Sequence, residues 1–201
     1  MNPSIDKIPF VGGRLCLDFV NTANRVEGAA CDERLTTFDD VLVLGQRLGL
    51  IDAAASARLA RRAADEPATA AAGLAAIVDL RDALWRLFAK ADDDRTSDLA
   101  RLNQAIGDGG ALKLVMSAGG LAIDAGDDPT AWLSRPVAYS ALELLTSARL
   151  TRVKTCPGMR CGWIFLDESP NARRRWCSME TCGNRAKARR FYRAHGRPSS
   201  G

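Results

Sequence analysis

The sequence predicts a mainly α-helical protein, in which a helical N-terminal domain (residues 1–150) precedes a small C-terminal module (residues 151–201) with a β-hairpin. Three observations carry this prediction. Apolar residues recur at helical spacing through most of the first part of the chain. Four of the six cysteines lie in the second part. The charge divides at the same place, since residues 1–150 hold 16 Lys/Arg and 21 Asp/Glu, whereas residues 151–201 hold 12 and 3.

The composition is that of an ordinary globular protein, with 201 residues and a hydrophobic share of 47%. The N-terminus lacks an apolar stretch of signal-peptide length, and no segment is long enough to span a bilayer. We therefore expect a cytoplasmic protein with no membrane partner, whose cysteines stay reduced. The basic C-terminal module is the expected binding region for a polyanion.

The first elements of the helical domain are predicted from turn and cap signals. Residues 12–20 begin with a glycine pair; a short strand or a helix start both fit, and we favour a glycine turn that leads into a helix. A second helix is predicted from Phe38, with Thr36 or Thr37 as its N-cap and two aspartates in its first turn. Gly49 is expected to end this helix.

Four more helices and a hairpin complete the prediction for this domain. Residues 52–65 are rich in alanine and arginine, and residues 69–91 have a broad apolar face. The three aspartates of residues 92–94 form a solvated break before a helix from Ser97, its expected cap, to Ala105.

A hairpin is predicted from residues 112–116 and 121–124, which flank a glycine pair. Ser134 is the expected cap of the last helix, with Pro136 in its first turn, where a missing N–H costs nothing. This helix leads into the C-terminal module near Leu150.

No catalytic group of residues is evident in the helical domain. Its charged residues have the spacing of solvated helix faces, and Cys16 and Cys31 are expected to be small buried hydrophobes. One polar cluster could line a ligand pocket, although helix capping explains it more simply; it comprises Asp18, Asn21 and Thr22, with Asn24.

The cysteines of the C-terminal module form two Cys-x4-Cys pairs with fifteen residues between them: Cys156, Cys161, Cys177 and Cys182. Paired thiols around a short connector are typical of a tetrahedral zinc site. Four thiolates complete the coordination shell, so we expect one structural zinc ion and no catalysis. The only histidine is His195, and the motif of zinc deaminases is absent.

The spacing predicts a treble-clef-like zinc finger. Residues 156–161 form a turn at the ion, residues 162–167 a strand, and residues 173–176 a second strand that returns to Cys177. A helix then runs from Cys182 to about His195. So small a unit is unstable on its apolar core alone, and zinc ligation contributes roughly 10–16 kcal/mol in finger peptides.

The basic residues of the finger are candidates for nucleic-acid binding. Arg185, Arg189 and Arg193 recur every four residues on one stripe of the last helix. Lys187 and Arg190 flank this stripe, and Arg173, Arg174 and Arg175 precede the helix. A different helical face, Ala188, Phe191 and His195, could pack on the hairpin. A solvated basic face without a nucleic-acid role is the alternative.

The two residues after Cys182 are expected to support the finger. Gly183 would let the main chain pass close to the metal. Asn184 would hydrogen-bond a main-chain group, which we favour over a contact with a base.

These motifs resemble the CGNR zinc-finger family. The match covers Cys161-Gly-Trp-Ile-Phe-Leu-Asp and Trp176-Cys-Ser-Met-Glu-Thr-Cys-Gly-Asn-Arg-Ala-Lys-Ala-Arg189. Upstream, Gly12-Gly-Arg-Leu-Cys-Leu-Asp-Phe-Val-Asn-Thr22 is similar to a segment of the same family. The resemblance implies an N-terminal domain called ABATE, a DNA-binding finger whose metal ligands fall on the four cysteines, and a role as a stress-induced bacterial transcription regulator.

The leading hypothesis is accordingly a zinc-dependent transcription regulator whose finger binds DNA. Its helical domain would sense a small-molecule effector or mediate assembly, for which a homodimer is plausible because one finger offers little interface. The alternative is a zinc-stabilised module that binds a protein or RNA, with Trp163, Phe165 and Trp176 as candidate contacts, although we favour core packing for these three side chains. We expect no enzymatic activity.

Overall fold

The computed structural model describes residues 4–90, 94–107, 114–117, 120–123 and 130–195. Within these ranges the α-helices are α1 (Leu15–Val20), α2 (Phe38–Arg47), α3 (Ala53–Asp65), α4 (Pro67–Ala89), α5 (Thr96–Ile106), α6 (Ala131–Thr146) and α7 (Asn184–His195). The strands form three antiparallel hairpins: β1 (Ala23–Val26) with β2 (Ala29–Glu33), β3 (Leu114–Ser117) with β4 (Gly120–Ile123), and β5 (Val153–Thr155) with β6 (Ile164–Leu166). Short 3-10 helices lie at Ile5–Lys7 and Ala148–Arg152.

The starts of α1 and α2 follow the sequence signals. Gly13 has a φ of +81°, which favours glycine, and the chain then enters α1 as expected. Thr37 caps α2 in a capping box with Asp40, and Gly49 follows the end of α2 with a φ of +70°. The hairpin predicted around residue 119 is present as β3 and β4, although residues 112, 113 and 124 lie outside the described ranges.

Two predicted caps are wrong. Helix α5 begins at Thr96, so Ser97 lies inside its first turn, and the carboxylate of Asp94 instead accepts a bond from the Thr96 amide at 2.9 Å. Helix α6 begins at Ala131, so both Ser134 and Pro136 lie within the helix.

Pro136 lies inside α6, where proline lacks the main-chain donor of a helical hydrogen bond. Leu133 and Val137 on either side of it are fully buried. Of the solvated break predicted at residues 92–94, only Asp94 lies within the described ranges.

The β1–β2 hairpin was not predicted. Its turn, Glu27-Gly28, has positive φ at both residues (51° and 85°), as a two-residue hairpin turn requires. The first turn position usually holds asparagine or aspartate, so Glu27 gave only a weak indication of a hairpin turn. A bulge between Asn24 and Arg25 then turns the strand toward the C-terminal module.

The main hydrophobic core crosses the predicted boundary between the two parts of the chain. It contains buried side chains of α1, α2, α4 and α6, together with Ile164 and Leu166 of β6. A second, smaller core contains the four cysteines of the finger with Trp163 and Phe165. The finger is therefore packed as part of the larger molecule. Among the described helices, none is both long enough and apolar enough to cross a bilayer.

In the finger, β6 pairs with β5 rather than with the predicted strand at residues 173–176. The main chain of that segment bonds to side chains instead. Lys154 donates to the carbonyls of Ala172 (2.6 Å) and Arg174 (3.2 Å), and the Arg174 amide donates to Asp167 at 2.9 Å. Because these main-chain groups are already hydrogen-bonded to side chains, the segment leads back to Cys177 without pairing with another strand.

The last helix follows a π-helical turn, Met179–Gly183, and is helical through His195, the last described residue. The prediction that Ala188, Phe191 and His195 pack on the hairpin is wrong. Helix α7, all of which is described, has no buried residue, and Phe191 is 59% exposed.

Candidate metal centre and nucleic-acid interface

The four cysteine sulfurs of the finger form one compact cluster. The Sγ atoms of Cys156, Cys161, Cys177 and Cys182 all lie within 4.8 Å of one another. The distance from Cys161 Sγ to Cys177 Sγ is 3.6 Å, and from Cys177 Sγ to Cys182 Sγ it is 3.7 Å. Zinc–sulfur bonds of about 2.3 Å in a tetrahedron place the sulfurs about 3.8 Å apart. The cluster therefore fits one structural zinc ion with a closed shell.

Hydrogen-bonded turns deliver each pair of ligands. Cys156 follows β5, and its amide donates to the Trp163 carbonyl at 2.7 Å. The Cys161 amide closes the first turn on Gly158 at 3.0 Å. Ser178 caps the π-helical turn that holds Cys182, accepting from Thr181 at 3.3 Å.

The glycine that makes room at the sulfurs is Gly158, not Gly183. A Cβ at Gly158 would lie 2.8 Å from Cys182 Sγ, whereas a Cβ at Gly183 would meet the Met179 sulfur at 2.8 Å. The Asn184 side chain donates to the Glu180 carbonyl at 3.1 Å, which is the main-chain role favoured for it.

The proximity of the sulfurs governs their ionisation. Hydrogen bonds donated by the Cys161 and Cys177 thiols lower the pKa of Cys156 far below its usual value. The pKa values of Cys161 and Cys177 are raised, chiefly because their protons are held in the bonds to Cys156. The first proton therefore leaves easily, and the others leave only when a cation balances the charge, as zinc does on binding.

A buried carboxylate organises the chain between the two cysteine pairs. Asp167 is fully buried and accepts bonds from Lys154 (2.6 Å), from the Ser169 hydroxyl (2.5 Å) and from the Arg174 amide (2.9 Å). Burial alone would raise the pKa of Asp167, but these bonds and the Lys154 charge hold it well below its usual range. Asp167 therefore stays ionised and fixes the turn that leads to Cys177.

Arg174 has structural partners, and its role as a nucleic-acid contact stays a prediction. Its guanidinium donates to the carbonyls of Val11 (2.9 Å) and Cys177 (2.5 Å) and lies 4.4 Å above the Phe165 ring. Its neighbours Arg173 and Arg175 are exposed.

The finger is joined to the helical domain by main-chain and side-chain hydrogen bonds. The Asn21 side chain donates to the Ile164 carbonyl and accepts from the Ile164 amide, both at 2.8 Å. The Arg25 amide donates to the Cys161 carbonyl at 2.9 Å. In addition, Trp85 donates from Nε1 to the Gly162 carbonyl at 3.0 Å. The chain from Cys161 to Ile164 is thus attached to helices or strands of the N-terminal part.

The residues predicted as a ligand pocket have structural partners. Besides Asn21, the Thr22 hydroxyl donates to the Phe19 carbonyl at 2.8 Å, at the end of α1. The Asp18 carboxylate accepts from the Gly12 amide at 2.7 Å, and burial raises the pKa of Asp18 to about 6. These contacts account for all three side chains, and a ligand role for them stays a prediction.

The cations of α7 are free of acidic partners. Within the described part of the chain, none of them forms an ion pair; they are Arg185, Lys187, Arg189, Arg190 and Arg193. Phe191 and Tyr192, which lie among them, are 59% and 70% exposed. The helix therefore presents an exposed basic surface on one side and exposed aromatic side chains beside it.

Sequence analysis missed two arginines beside the metal site. A cavity of about 100 Å³ is lined by Arg34, Arg160 and Arg185, together with Cys161, Cys177 and Cys182. Arg34 is buried and bonds to Asn24 Oδ1 at 3.1 Å, so it reaches the finger from the strand side of the helical domain. The position of Arg34 beside the metal site could not be predicted, because Arg34 lies far from the finger in the sequence. Arg160 could have been identified, because it directly precedes the ligand Cys161.

The fold and the site define a protein with a helical domain and a four-cysteine zinc finger packed against it. Two family models match the chain: "Putative stress-induced transcription regulator" (ABATE) over residues 13–148, and "CGNR zinc finger" over residues 152–195. The ABATE match covers more than half of the chain, so the chain belongs to the ABATE family. Residues 152–195 form its CGNR zinc finger. A comparison with curated proteins found no match.

Proposed function

We propose that the protein is a transcription regulator that binds DNA through its zinc finger. The proposal rests on α7. Within the described part of the chain, its five cations have no acidic partner, and none of its residues is buried. A transcription regulator acts at the chromosome, so the proposal places the protein in the cytoplasm of a bacterial cell. It includes no catalysis, because a zinc ion with four thiolates has no open position.

The dimensions of α7 suit the major groove of DNA. Its residues, Asn184–His195, give a length of about 18 Å and a diameter of about 10–12 Å with side chains, and the groove is about 12 Å wide. Like charges four residues apart destabilise a helix, and a short isolated helix is marginal in water. Phosphates would relieve this repulsion, which gives the free helix a physical reason to bind a polyanion.

The charge around the finger exceeds what the metal site needs. Residues 151–201 carry a net charge of +9, which becomes +7 when four thiolates and one zinc ion are counted. Arg173 and Arg175 are exposed beside the finger, and Arg160 lies with Arg185 at the cavity next to the sulfurs. We infer that these residues extend the phosphate-binding surface beyond α7.

The test is fluorescence anisotropy of a labelled DNA duplex titrated with zinc-loaded protein over a series of salt concentrations. About five phosphate contacts predict a slope of log K against log salt of about −4 to −5. The double charge reversal Arg189→Glu/Arg193→Glu should abolish measurable binding. The matched control is Arg58→Glu/Arg61→Glu in α3, where both arginines are also at the surface.

The control variant changes the net charge by the same amount and should retain most of the affinity. Equal losses in the two variants would show that net charge alone drives binding. Binding that is absent in the wild type, or independent of salt, would contradict the proposal.

A second candidate is a protein-interaction module, which the exposed apolar side chains of the finger favour. Met179, Phe191 and Tyr192 are at least half exposed on one continuous segment. Phe191→Ala/Tyr192→Ala should abolish capture of a partner that survives nuclease treatment if this candidate holds. If DNA is the partner, nuclease should release whatever the finger captures.

A further inference from the structure

The helical domain contains a cavity that is separate from the metal site. It has a volume of about 310 Å³ and lies between α4, α5 and the start of α6, and the described residues of its lining include none from the finger. The side chains of Ile77 and Leu80, each 1% exposed, provide an apolar wall. Arg101 and Gln104 of α5 provide polar groups. This volume lies at the lower end of the range of small-molecule sites, which combine apolar walls with a few polar groups.

Arg101 is an incompletely paired cation in this cavity. Its Nη1 donates to Gln104 Oε1 at 2.6 Å and its Nη2 to the Ala76 carbonyl at 2.5 Å. Its Nε is buried and has no hydrogen-bond partner. Within the described residues, no carboxylate forms an ion pair with Arg101. A guanidinium has five N–H donors, so this half-buried charge can still bind an anion.

The start of α6 adds to the positive potential of the cavity. Thr130, the N-cap of α6, and Ser134 in its first turns both line the cavity. The N-terminal end of a helix of this length carries a partial positive charge, which favours an anion. Inorganic phosphate would leave the alanine side chains of the lining, Ala72, Ala76 and Ala105, in contact with water, whereas a ligand with an apolar tail would cover them.

We propose that this cavity binds a small carboxylate with an apolar tail. The carboxylate accepts hydrogen bonds from Arg101, a donor well suited to carboxylates, and the tail lies against Ile77 and Leu80. The inference goes beyond the proposed function, because binding of this ligand requires no DNA. Its failure would leave the DNA-binding proposal untouched.

The first test uses wild-type, full-length, zinc-loaded protein with isotopically labelled Ile and Leu methyl groups, titrated with octanoate. The methyl resonances of Ile77 and Leu80 should shift and saturate, while those of Ile164 in the finger stay unchanged. Octanol, which lacks the charge, should bind about tenfold more weakly or worse, because bonds to a charged partner are lost. An equal response to octanol or to inorganic phosphate, or no saturable response to octanoate, would overturn the proposal.

Variants provide the second test. Arg101→Gln should weaken octanoate about tenfold or more and leave octanol nearly unchanged. Ala76→Phe should fill the cavity and stop both probes, whereas its control Ala75→Phe, an exposed neighbour outside the lining, should stop neither. Arg58→Gln, on the surface of α3, controls for the loss of one charge.

Thermal unfolding of each variant shows whether it is folded. If Ala76→Phe does not fold, the octanoate and octanol affinities of Arg101→Gln decide the matter. Unchanged octanoate binding by folded Arg101→Gln or by folded Ala76→Phe would contradict the site.

Discussion

The buried arginine Arg81 joins α4 to the β1–β2 hairpin. Arg81 is fully buried and donates from Nη1 and Nη2 to the two carboxylate oxygens of Glu33, at 2.5 and 2.7 Å. It also pairs with Asp82. The sequence predicted a broad apolar face for residues 69–91, and Arg81 is among the buried residues of that helix. It could not identify the partner, because any of many acids could balance the charge and β2 itself was not predicted.

Replacing Glu33 should therefore be costly. We expect Glu33→Gln to lower the free energy of unfolding by about 2–4 kcal/mol, because it leaves Arg81 buried without its main countercharge. Urea denaturation of the zinc-loaded protein measures this. Glu27→Gln, in the exposed turn of the same hairpin, should change the value by less than about 0.5 kcal/mol. Similar values for the two variants would show that the buried pair contributes little.

Asp18 makes the stability depend on pH. Burial raises its pKa to about 6 from an unfolded value near 3.8, so the folded state binds more protons between these values. The contribution of Asp18 to the free energy of unfolding is therefore greatest at low pH and is lost as the pH rises through 6.

Asp18→Asn removes this titration and keeps an oxygen that can accept from Gly12. Relative to wild type, the variant should gain about 1–2 kcal/mol between pH 4 and pH 7, since partial exposure reduces the full effect. Urea denaturation across this pH range would reveal it. A stability difference that does not change with pH would contradict the raised pKa.

At the scale of elements, local signals predicted most helices and failed where long-range contacts decide. The capping box at Thr37 and the ends of α3 and α4 lie within a few residues of their signals. Arg173–Trp176 carries the spacing of a returning strand, but Lys154 and Asp167 occupy its main-chain groups. The pairing of β5 with β6, across the first cysteine pair, also depends on contacts that spacing does not reveal.

The attachment of α1 to β6 is testable at one residue. Asn21→Ala should cost about 2–4 kcal/mol, because it leaves the Ile164 amide and carbonyl buried without their partner. Zinc-loaded protein would be compared in urea with Asn103→Ala, a change at an exposed position of α5. A cost as small as that of the control would mean that water replaces Asn21.

At the scale of the whole molecule, the cysteine spacing predicted the metal ligands, since zinc geometry alone constrains them. The charge split likewise located the basic surface on the finger. Neither signal predicted that Ile164 and Leu166 complete the core of the helical domain, or that Cys161 bonds to Arg25. Those contacts join residues more than a hundred positions apart, and apolar periodicity does not identify partners over that distance.

The central claim is that the zinc ion and the shared core make the finger and the helical domain one cooperative unit. Amide hydrogen exchange of the full-length protein, zinc-loaded and after chelation, tests it most directly. The account predicts that chelation removes protection from the finger and also from the Arg25 and Leu166 amides, which bond across the junction to Cys161 and Gly12. Retained protection at Arg25 and Leu166 while the finger exchanges freely would contradict it.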